Sequence, residues 1–144
     1  IYPCRGDYFR LRNAKGRFAH LLYPVRPAGS PGLGVHVTLA LDGSARLGPD
    51  AEYVSSRVDY SPRDDKAPTF YAAASRLLGP LPPDALSWDG CGLRPRLCGP
   101  GEPSDRDFVV ARGPPWLLSL HGIESPGLTA CLALGEHVAG LVEE

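Results

Sequence analysis

The sequence has 144 residues, of which 43% are hydrophobic, and a formal net charge of −1 at pH 7. This length and composition predict one globular domain with a core, and the near-neutral charge argues against a nucleic-acid-binding protein. No apolar run reaches the length of a membrane span, and no signal-peptide pattern opens the chain. We therefore expect a cytoplasmic protein without a transmembrane segment, peripheral to a membrane at most.

Short apolar runs separated by glycine- and proline-containing turns predict an antiparallel sheet. Strands are expected at residues 5–12, 18–25, 35–41 and 45–47. Asp42-Gly43 predicts a hairpin turn, because both residues tolerate a positive φ. In the strand before it, one face carries the apolar residues Val35, Val37, Leu39 and Leu41. His36 lies on the opposite face, where it could line a cavity.

The rest of the chain predicts helices and further strands. Residues 69–78 have helical spacing and end at Gly79-Pro80. Extended segments are expected at residues 86–97, 108–112 and 116–121, with loops at 53–68 and 98–106. A last helix is expected to start at Ser125, with Pro126 in its first turn. Together these elements predict an α+β fold, a mostly antiparallel sheet with a few helices.

Three site types are disfavoured by missing motifs. The four cysteines form no Cys-x-x-Cys pair, so we expect no metal site. A disulfide framework is not expected either, because a chain of this size can form a core. No Gly-x-Ser-x-Gly elbow is present, so a hydrolase is not supported. No Gly-x-Gly-x-x-Gly occurs either, so nothing in the chain predicts a pyrophosphate-binding βαβ unit.

Several runs resemble, in order, the D-amino-acid-oxidase-like superfamily of FAD-dependent oxidoreductases. Residues 121–130, His-Gly-Ile-Glu-Ser-Pro-Gly-Leu-Thr-Ala, resemble its flavin-facing terminal loop. Arg5-Gly-Asp-Tyr8 resembles the strand that opens the substrate domain, and Gly92-Leu-Arg-Pro95 with Asp107-Phe-Val109 resembles the strand at the substrate carboxylate. Four shorter runs resemble the branch of L-2-hydroxyglutarate dehydrogenases and oxidases: Tyr23-Pro24, Gly34-Val-His36, Asp42-Gly43 and Leu47-Gly-Pro49.

The resemblance implies that residues 1–144 are the substrate domain with a flavin-contacting strand, loop and helix, the substrate-side half of a two-domain FAD oxidoreductase. The dinucleotide-binding half would be absent, and would be supplied by an N-terminal segment or a partner chain. The implied reaction is hydride transfer from a small 2-hydroxy acid to FAD in the complete protein, with this chain inactive alone.

The resemblance also implies site residues. Arg94 would anchor the substrate carboxylate, since a guanidinium holds a carboxylate with two parallel hydrogen bonds. His36 would remove the hydroxyl proton, since a neutral imidazole accepts protons at working pH, and a purely structural strand histidine is its equal alternative. Tyr23 would contact the substrate or serve as a core aromatic. Arg96 would assist Arg94 or pair with an acid.

Cofactor contacts are implied for nine residues: Gly92, Leu93, His121, Gly122, Ser125, Pro126, Gly127, Leu128 and Thr129. A positive helix start in this loop would stabilise negative charge that develops on the flavin. The glycines would let a flat ring approach the backbone closely.

Three other interpretations stay open from the sequence. An amine-oxidising relative acting on glycine, sarcosine or another amino acid would use the same carboxylate anchor. A non-catalytic binding or adhesion module is suggested by the triplet Arg5-Gly6-Asp7, if it were exposed. A naturally separate subunit that meets a dinucleotide-binding chain would also fit.

Overall fold

The computed structural model describes residues 1–25, 34–102 and 106–143, and its elements confirm the α+β prediction. The strands are β1 (Tyr2–Leu11), β2 (Val37–Leu39), β3 (Ala45–Leu47), β4 (Glu52–Tyr53), β5 (Leu86–Arg96), β6 (Val109–Arg112) and β7 (Leu118–His121). The helices are α1 (Ala67–Leu78) and α2 (Cys131–Glu143), and a 3-10 turn covers Asp64–Lys66. Residues 26–33, between the predicted strands at 18–25 and 35–41, and part of the predicted loop at 98–106 lie outside the described residues.

The larger sheet has the order β2-β3-β1-β4, and β5 also pairs with β1, while β6 and β7 form a separate antiparallel pair. The predicted hairpin joins β2 to β3, with Gly43 at φ 79° and the Ser44 N–H bonded to the Asp42 carboxylate at 2.9 Å. Leu41 does not share the buried face predicted for it, because β2 ends at Leu39 and Leu41 lies exposed in the turn.

The core lies between one face of this sheet and α1. Phe9 and Val37 project from the sheet and Phe70 from α1, and all three are fully buried. The rings of Phe9 and Phe70 are 4.5 Å apart. Burying one such side chain stabilises the fold by about 1.5–3 kcal/mol, so this layer is a main source of the stability of the sheet.

Two predicted elements differ from the structure. Residues 18–25 form no strand but a single bridge, Leu22 to Val37, because Pro24 has no N–H with which to continue the ladder. The last helix starts at Cys131 instead of Ser125, and residues 125–130 are turns. Gly127 is a poor helix former, and its N–H closes a tight turn onto the Glu124 carbonyl.

A network of charged side chains is buried beside the core. Asp7, with no solvent exposure, accepts hydrogen bonds from Arg5 (Nη2, 2.8 Å), Lys66 (Nζ, 2.8 Å) and Trp88 (Nε1, 3.0 Å). The Lys66 ammonium also contacts the carboxylates of Asp50 at 2.8 Å and Glu52 at 2.6 Å. The network therefore joins β1 and β5 to the chain just before α1.

Replacing Asp7 with asparagine should destabilise the protein by about 3–5 kcal/mol, because two buried cations would lose their central counter-charge. For a domain of this size that loss corresponds to a fall in Tm of about 6–20 °C, measurable by calorimetry of the complete protein. Asp84→Asn, at an exposed carboxylate 3.9 Å from Arg12, is the matched control and should change Tm little. Equal Tm values for the two variants would show that the network is not structural.

Acid should weaken the same network. Burial alone would raise the pKa of Asp7, but the hydrogen bonds from Arg5, Lys66 and Trp88 lower it from 3.8 to about 2. The folded state therefore favours the carboxylate, and its contribution of about 2 kcal/mol is complete above pH ~4 and lost as the pH falls towards ~2. Urea denaturation across this window should show the loss, and Asp7→Asn should show a shallower dependence. An identical slope for the two proteins would contradict this origin.

By their contacts, the residues divide into two compact units. Unit 1 comprises residues 1–4, 53–55 and 94–144, and unit 2 comprises residues 5–52 and 56–93. The core and the buried charge network both belong to unit 2. No helix in the described parts of either unit has the length and apolarity needed to cross a bilayer.

Candidate active site

Tyr23 and His36, two of the predicted site residues, lie together in unit 2. Their rings stack with centroids 4.4 Å apart and an interplanar angle of 23°. His36 is only 5% exposed, and its Nδ1 lies 2.8 Å from the carbonyl oxygen of Gly34. The imidazole is therefore held on one face by an aromatic ring and at one edge by the backbone.

The Gly34 contact fixes the tautomer of a neutral His36. A carbonyl oxygen only accepts hydrogen bonds, so Nδ1 must carry the proton and donate it. The lone pair is then on Nε2, for which the described part of the chain provides no hydrogen-bond partner. A histidine oriented by a carbonyl at Nδ1 is arranged to accept a proton at Nε2.

Arg94 lies near the end of β5, in unit 1, and is half-buried. Within residues 1–25, 34–102 and 106–143 it is the one arginine that is at least partly buried and has neither an acidic partner nor a hydrogen bond. The other arginines that are at least partly buried form ion pairs with acidic side chains: Arg5–Asp7, Arg46–Asp89, Arg63–Asp65 and Arg96–Glu124. Its guanidinium is therefore available to a ligand carboxylate.

The end of β5 contacts the terminal loop, residues 122–130, within unit 1. Arg96 Nε lies 3.2 Å from the Glu124 carboxylate, so of the two roles considered for Arg96 the structure shows pairing with an acid. Burial alone would lower the pKa of Arg96, but the Glu124 hydrogen bond and charge raise it above its ordinary value. Arg96 thus stays charged and ties the loop to the strand that carries Arg94.

The comparison with known proteins identifies the family. The description "FAD dependent oxidoreductase" matches residues 1–141. The chain belongs to the FAD-dependent oxidoreductase family. The family assignment agrees with the resemblance seen in the terminal loop and the Arg94 strand.

Curated relatives carry one recurring name. The chain is 38% identical to "L-2-hydroxyglutarate dehydrogenase, mitochondrial" of Arabidopsis thaliana, over 94% of this chain and 30% of that protein. It is 45% identical to "L-2-hydroxyglutarate dehydrogenase" of Salmonella houtenae over 65 residues, 44% of this chain and 15% of that protein. For the Homo sapiens mitochondrial protein the identity is 43%, over 46% of this chain and 15% of that protein. The chain thus spans less than a third of the length of these relatives.

The terminal loop has donors that fit the ring end of FAD. The N–H groups of Ser125, Leu128 and Thr129 have no acceptor among the residues that the structure describes. Free backbone N–H groups suit an electron-rich ring edge, even though the loop is a series of turns rather than a helix start. Contacts from the loop to FAD remain a prediction.

The structure explains by packing why glycine occupies positions 122 and 127 of the terminal loop. A Cβ at Gly122, which has φ +67°, would lie 2.4 Å from Leu97, and one at Gly127 would lie 2.6 Å from Ile123. Packing against Leu97 accounts for Gly122 and packing within the loop accounts for Gly127, whether or not a ring approaches them. The interpretation that they are there to admit a flat ligand has no support from this packing.

The other predicted cofactor residues are placed as follows. Gly92 and Leu93 lie on β5, and a Cβ at Gly92 would meet no atom within 4 Å. The His121 side chain, at the end of β7, contacts the Ser119 hydroxyl at 3.0 Å, and Leu128 is exposed. Pro126 lies in the turns before α2. These positions leave the cofactor contacts as predictions.

Sequence reasoning missed the role of the first strand. Arg5 and Asp7 are 1% and 0% exposed and bonded to each other, so the adhesion-module interpretation of Arg5-Gly6-Asp7 is wrong. A signal was present: Arg5 and Asp7 alternate in phase with Phe9 and Leu11, which marks the same buried face. Two charges of opposite sign on a core face indicate a buried pair.

Proposed function

We propose that this chain is the substrate-side part of an FAD-dependent dehydrogenase that oxidises a small 2-hydroxy acid of the L-2-hydroxyglutarate type to the 2-oxo acid. One observation carries the proposal: the chain is 38% identical, over 94% of its length, to a protein named L-2-hydroxyglutarate dehydrogenase. Each unit supports it separately with one group that such a substrate needs, an unpaired guanidinium at Arg94 in unit 1 and an oriented imidazole at His36 in unit 2.

The proposed roles divide the chemistry between the residues. Arg94 binds the carboxylate next to the reacting carbon, and His36 Nε2 accepts the hydroxyl proton as the C–O bond becomes a carbonyl. Tyr23 stacks on the imidazole and touches the substrate from the same side. FAD, when bound, supplies the acceptor for the hydride that leaves C2. The terminal loop then offers N–H groups to the electron-rich ring edge.

We further propose that the chain works with a dinucleotide-binding half, in the same polypeptide or in a partner chain. Unit 1 supports this with large apolar side chains that are exposed, Trp116, Leu128, Leu132 and Val142. Large apolar side chains left exposed on one unit suit contact with another protein segment. Residues 1–144 alone should therefore bind FAD weakly, and measurable tight binding by fluorescence quenching would contradict the need for another half.

Turnover by the complete, FAD-containing protein tests the function. The turnover rates of L-2-hydroxyglutarate, glycine and sarcosine should be compared in the presence of one artificial electron acceptor. All three substrates carry the carboxylate that Arg94 would bind. Formation of 2-oxoglutarate from the hydroxy acid alone is expected. Faster turnover of glycine or sarcosine would replace the proposal with an amine oxidase. The proposed location, cytoplasmic and at most membrane-peripheral, is tested by fractionating cells with and without a salt wash.

A further inference from the structure

Two short segments of unit 2 are held together beside His36. Leu22 and Val37 form a bridge in which the N–H of each donates to the carbonyl of the other, at 3.3 and 2.9 Å. On the other side, the His36 carbonyl accepts the N–H of Gly48 at 3.0 Å. Val37 itself is fully buried in the core. The backbone around His36 is therefore fixed by hydrogen bonds on both sides and by packing.

Gly34, two residues before His36, has a backbone conformation that favours glycine. Its φ is +74°, in the left-handed region that glycine adopts freely and other L-residues disfavour. A Cβ at this position would also lie 3.3 Å from Cγ of Pro24, closer than an ordinary van der Waals contact. The pyrrolidine ring of Pro24 is closed onto its own backbone and has little freedom to give way. Glycine is therefore favoured at position 34 for two reasons, one conformational and one steric.

In this conformation the Gly34 carbonyl meets the edge of the imidazole. Its oxygen lies 2.8 Å from His36 Nδ1, while the Tyr23 ring covers one face of the imidazole with the centroids 4.4 Å apart. A carbonyl acceptor at Nδ1 selects the neutral tautomer that is protonated there. Tyr23 thus sets the plane of the ring, Gly34 sets its protonated nitrogen, and the lone pair is left on Nε2.

We propose that Gly34 is a positioning residue for His36: its left-handed backbone holds the carbonyl that selects the Nδ1–H tautomer, and so leaves Nε2 free to accept the hydroxyl proton. The use of Nε2 in catalysis rests on the proposed function, whereas the tautomer is a property of the folded chain. The inference also gives one structural reason for two separate sequence runs. Tyr23-Pro24 and Gly34-Val-His36 form a single unit around one imidazole.

The tautomer is measured by ¹⁵N NMR of the complete, FAD-containing protein labelled in its histidine side chains, at a pH high enough for the imidazole to be neutral. The His36 signals are those missing from His36→Phe. The wild type should show Nδ1 protonated and Nε2 unprotonated. Gly34→Ala should raise the fraction protonated at Nε2, because alanine is strained at this φ and meets Pro24. An unprotonated Nδ1 in the wild type, or an unchanged tautomer in Gly34→Ala, would overturn the proposal.

Kinetics of the same protein measure the consequence for the reaction. Gly34→Ala should lower kcat for L-2-hydroxyglutarate by about 10- to 100-fold, the usual effect of a misplaced catalytic group, and change KM by less than about twofold. Gly34→Asn should recover part of this loss, because asparagine tolerates a positive φ better than alanine does.

Gly16→Ala is the matched control for backbone strain. Gly16 also lies in unit 2 with a positive φ, +70°, and a Cβ there would meet no atom within 4 Å. The variant should lower Tm as Gly34→Ala does, but leave kcat and the His36 tautomer unchanged. Equal kcat losses in the two variants would make the effect one of stability and overturn the proposal. A wild-type protein with the Nδ1–H tautomer that oxidises no 2-hydroxy acid would reject the proposed function alone, since the tautomer is measured without turnover.

Discussion

His36→Phe in the complete protein should lower kcat for the 2-hydroxy acid by about 10²- to 10⁴-fold, the usual contribution of a general base. Phenylalanine keeps a flat ring against Tyr23, 4.4 Å away in the native pair, but removes the proton-accepting Nε2. Stopped-flow and steady-state kinetics measure this effect.

The matched control is His20→Phe, at an exposed histidine of the same unit. It should retain wild-type turnover. His36→Asn adds a second comparison, since its amide can still donate to the Gly34 carbonyl but cannot accept the proton. Wild-type kcat in His36→Phe would reject His36 as the base and leave it a structural strand histidine.

Arg94→Ala should lower kcat/KM for the 2-hydroxy acid by about 30- to 5,000-fold, a loss of roughly 2–5 kcal/mol. The expected reason is that no other side chain in the described part of unit 1 offers a half-buried, unpaired guanidinium. Most of the loss should appear in KM, because a carboxylate anchor binds the substrate before and during reaction alike. Arg94→Lys should be impaired as well, since it lacks the bidentate fork.

Arg106→Ala is the control for the loss of any arginine from unit 1. Arg106 belongs to the same unit as Arg94, but it is exposed and lies outside the terminal loop. Its kcat/KM should equal that of the wild type within about twofold, as for most surface changes. If Arg94→Ala matched this control, the substrate carboxylate would have to be bound elsewhere.

The local signals in the sequence predicted much of the fold. Asp42-Gly43 located the β2–β3 hairpin because glycine readily adopts the positive φ, 79° at Gly43, that closes the turn. The apolar spacing from residue 69 to 78 located α1, which the structure extends back to Ala67. Both features depend on neighbouring residues only, so the sequence contains what determines them.

The misplaced elements depend on more than local pattern. Residues 18–25 read as a strand, yet only Leu22 pairs, since the ladder needs an N–H that Pro24 lacks. The terminal loop read as a helix start from Ser125, but it is tied to residues distant in sequence through the Arg96–Glu124 ion pair and the close approach of Leu97 to Gly122. Pairing and loop anchoring arise from tertiary contacts that a single-sequence pattern does not encode.

The sequence predicted the site residues one at a time, and the structure adds which side chains contact them and how deeply they are buried. The stacking of His36 on Tyr23, and the missing partner of Arg94, could not be read from residue types. Asp7 and Lys66, 59 residues apart, meet only in the folded chain. The family resemblance supplied roles, whereas burial, pairing and tautomer come from the three-dimensional arrangement.

The most direct measurement of the central claim is an anaerobic titration of the complete, FAD-containing protein with each enantiomer of 2-hydroxyglutarate. The L enantiomer should bleach the visible absorbance of the oxidised flavin and yield one equivalent of 2-oxoglutarate per flavin, while the D enantiomer should leave the spectrum oxidised. A flavin that stays oxidised with the L enantiomer but bleaches with sarcosine or glycine would contradict the assignment to 2-hydroxy-acid oxidation.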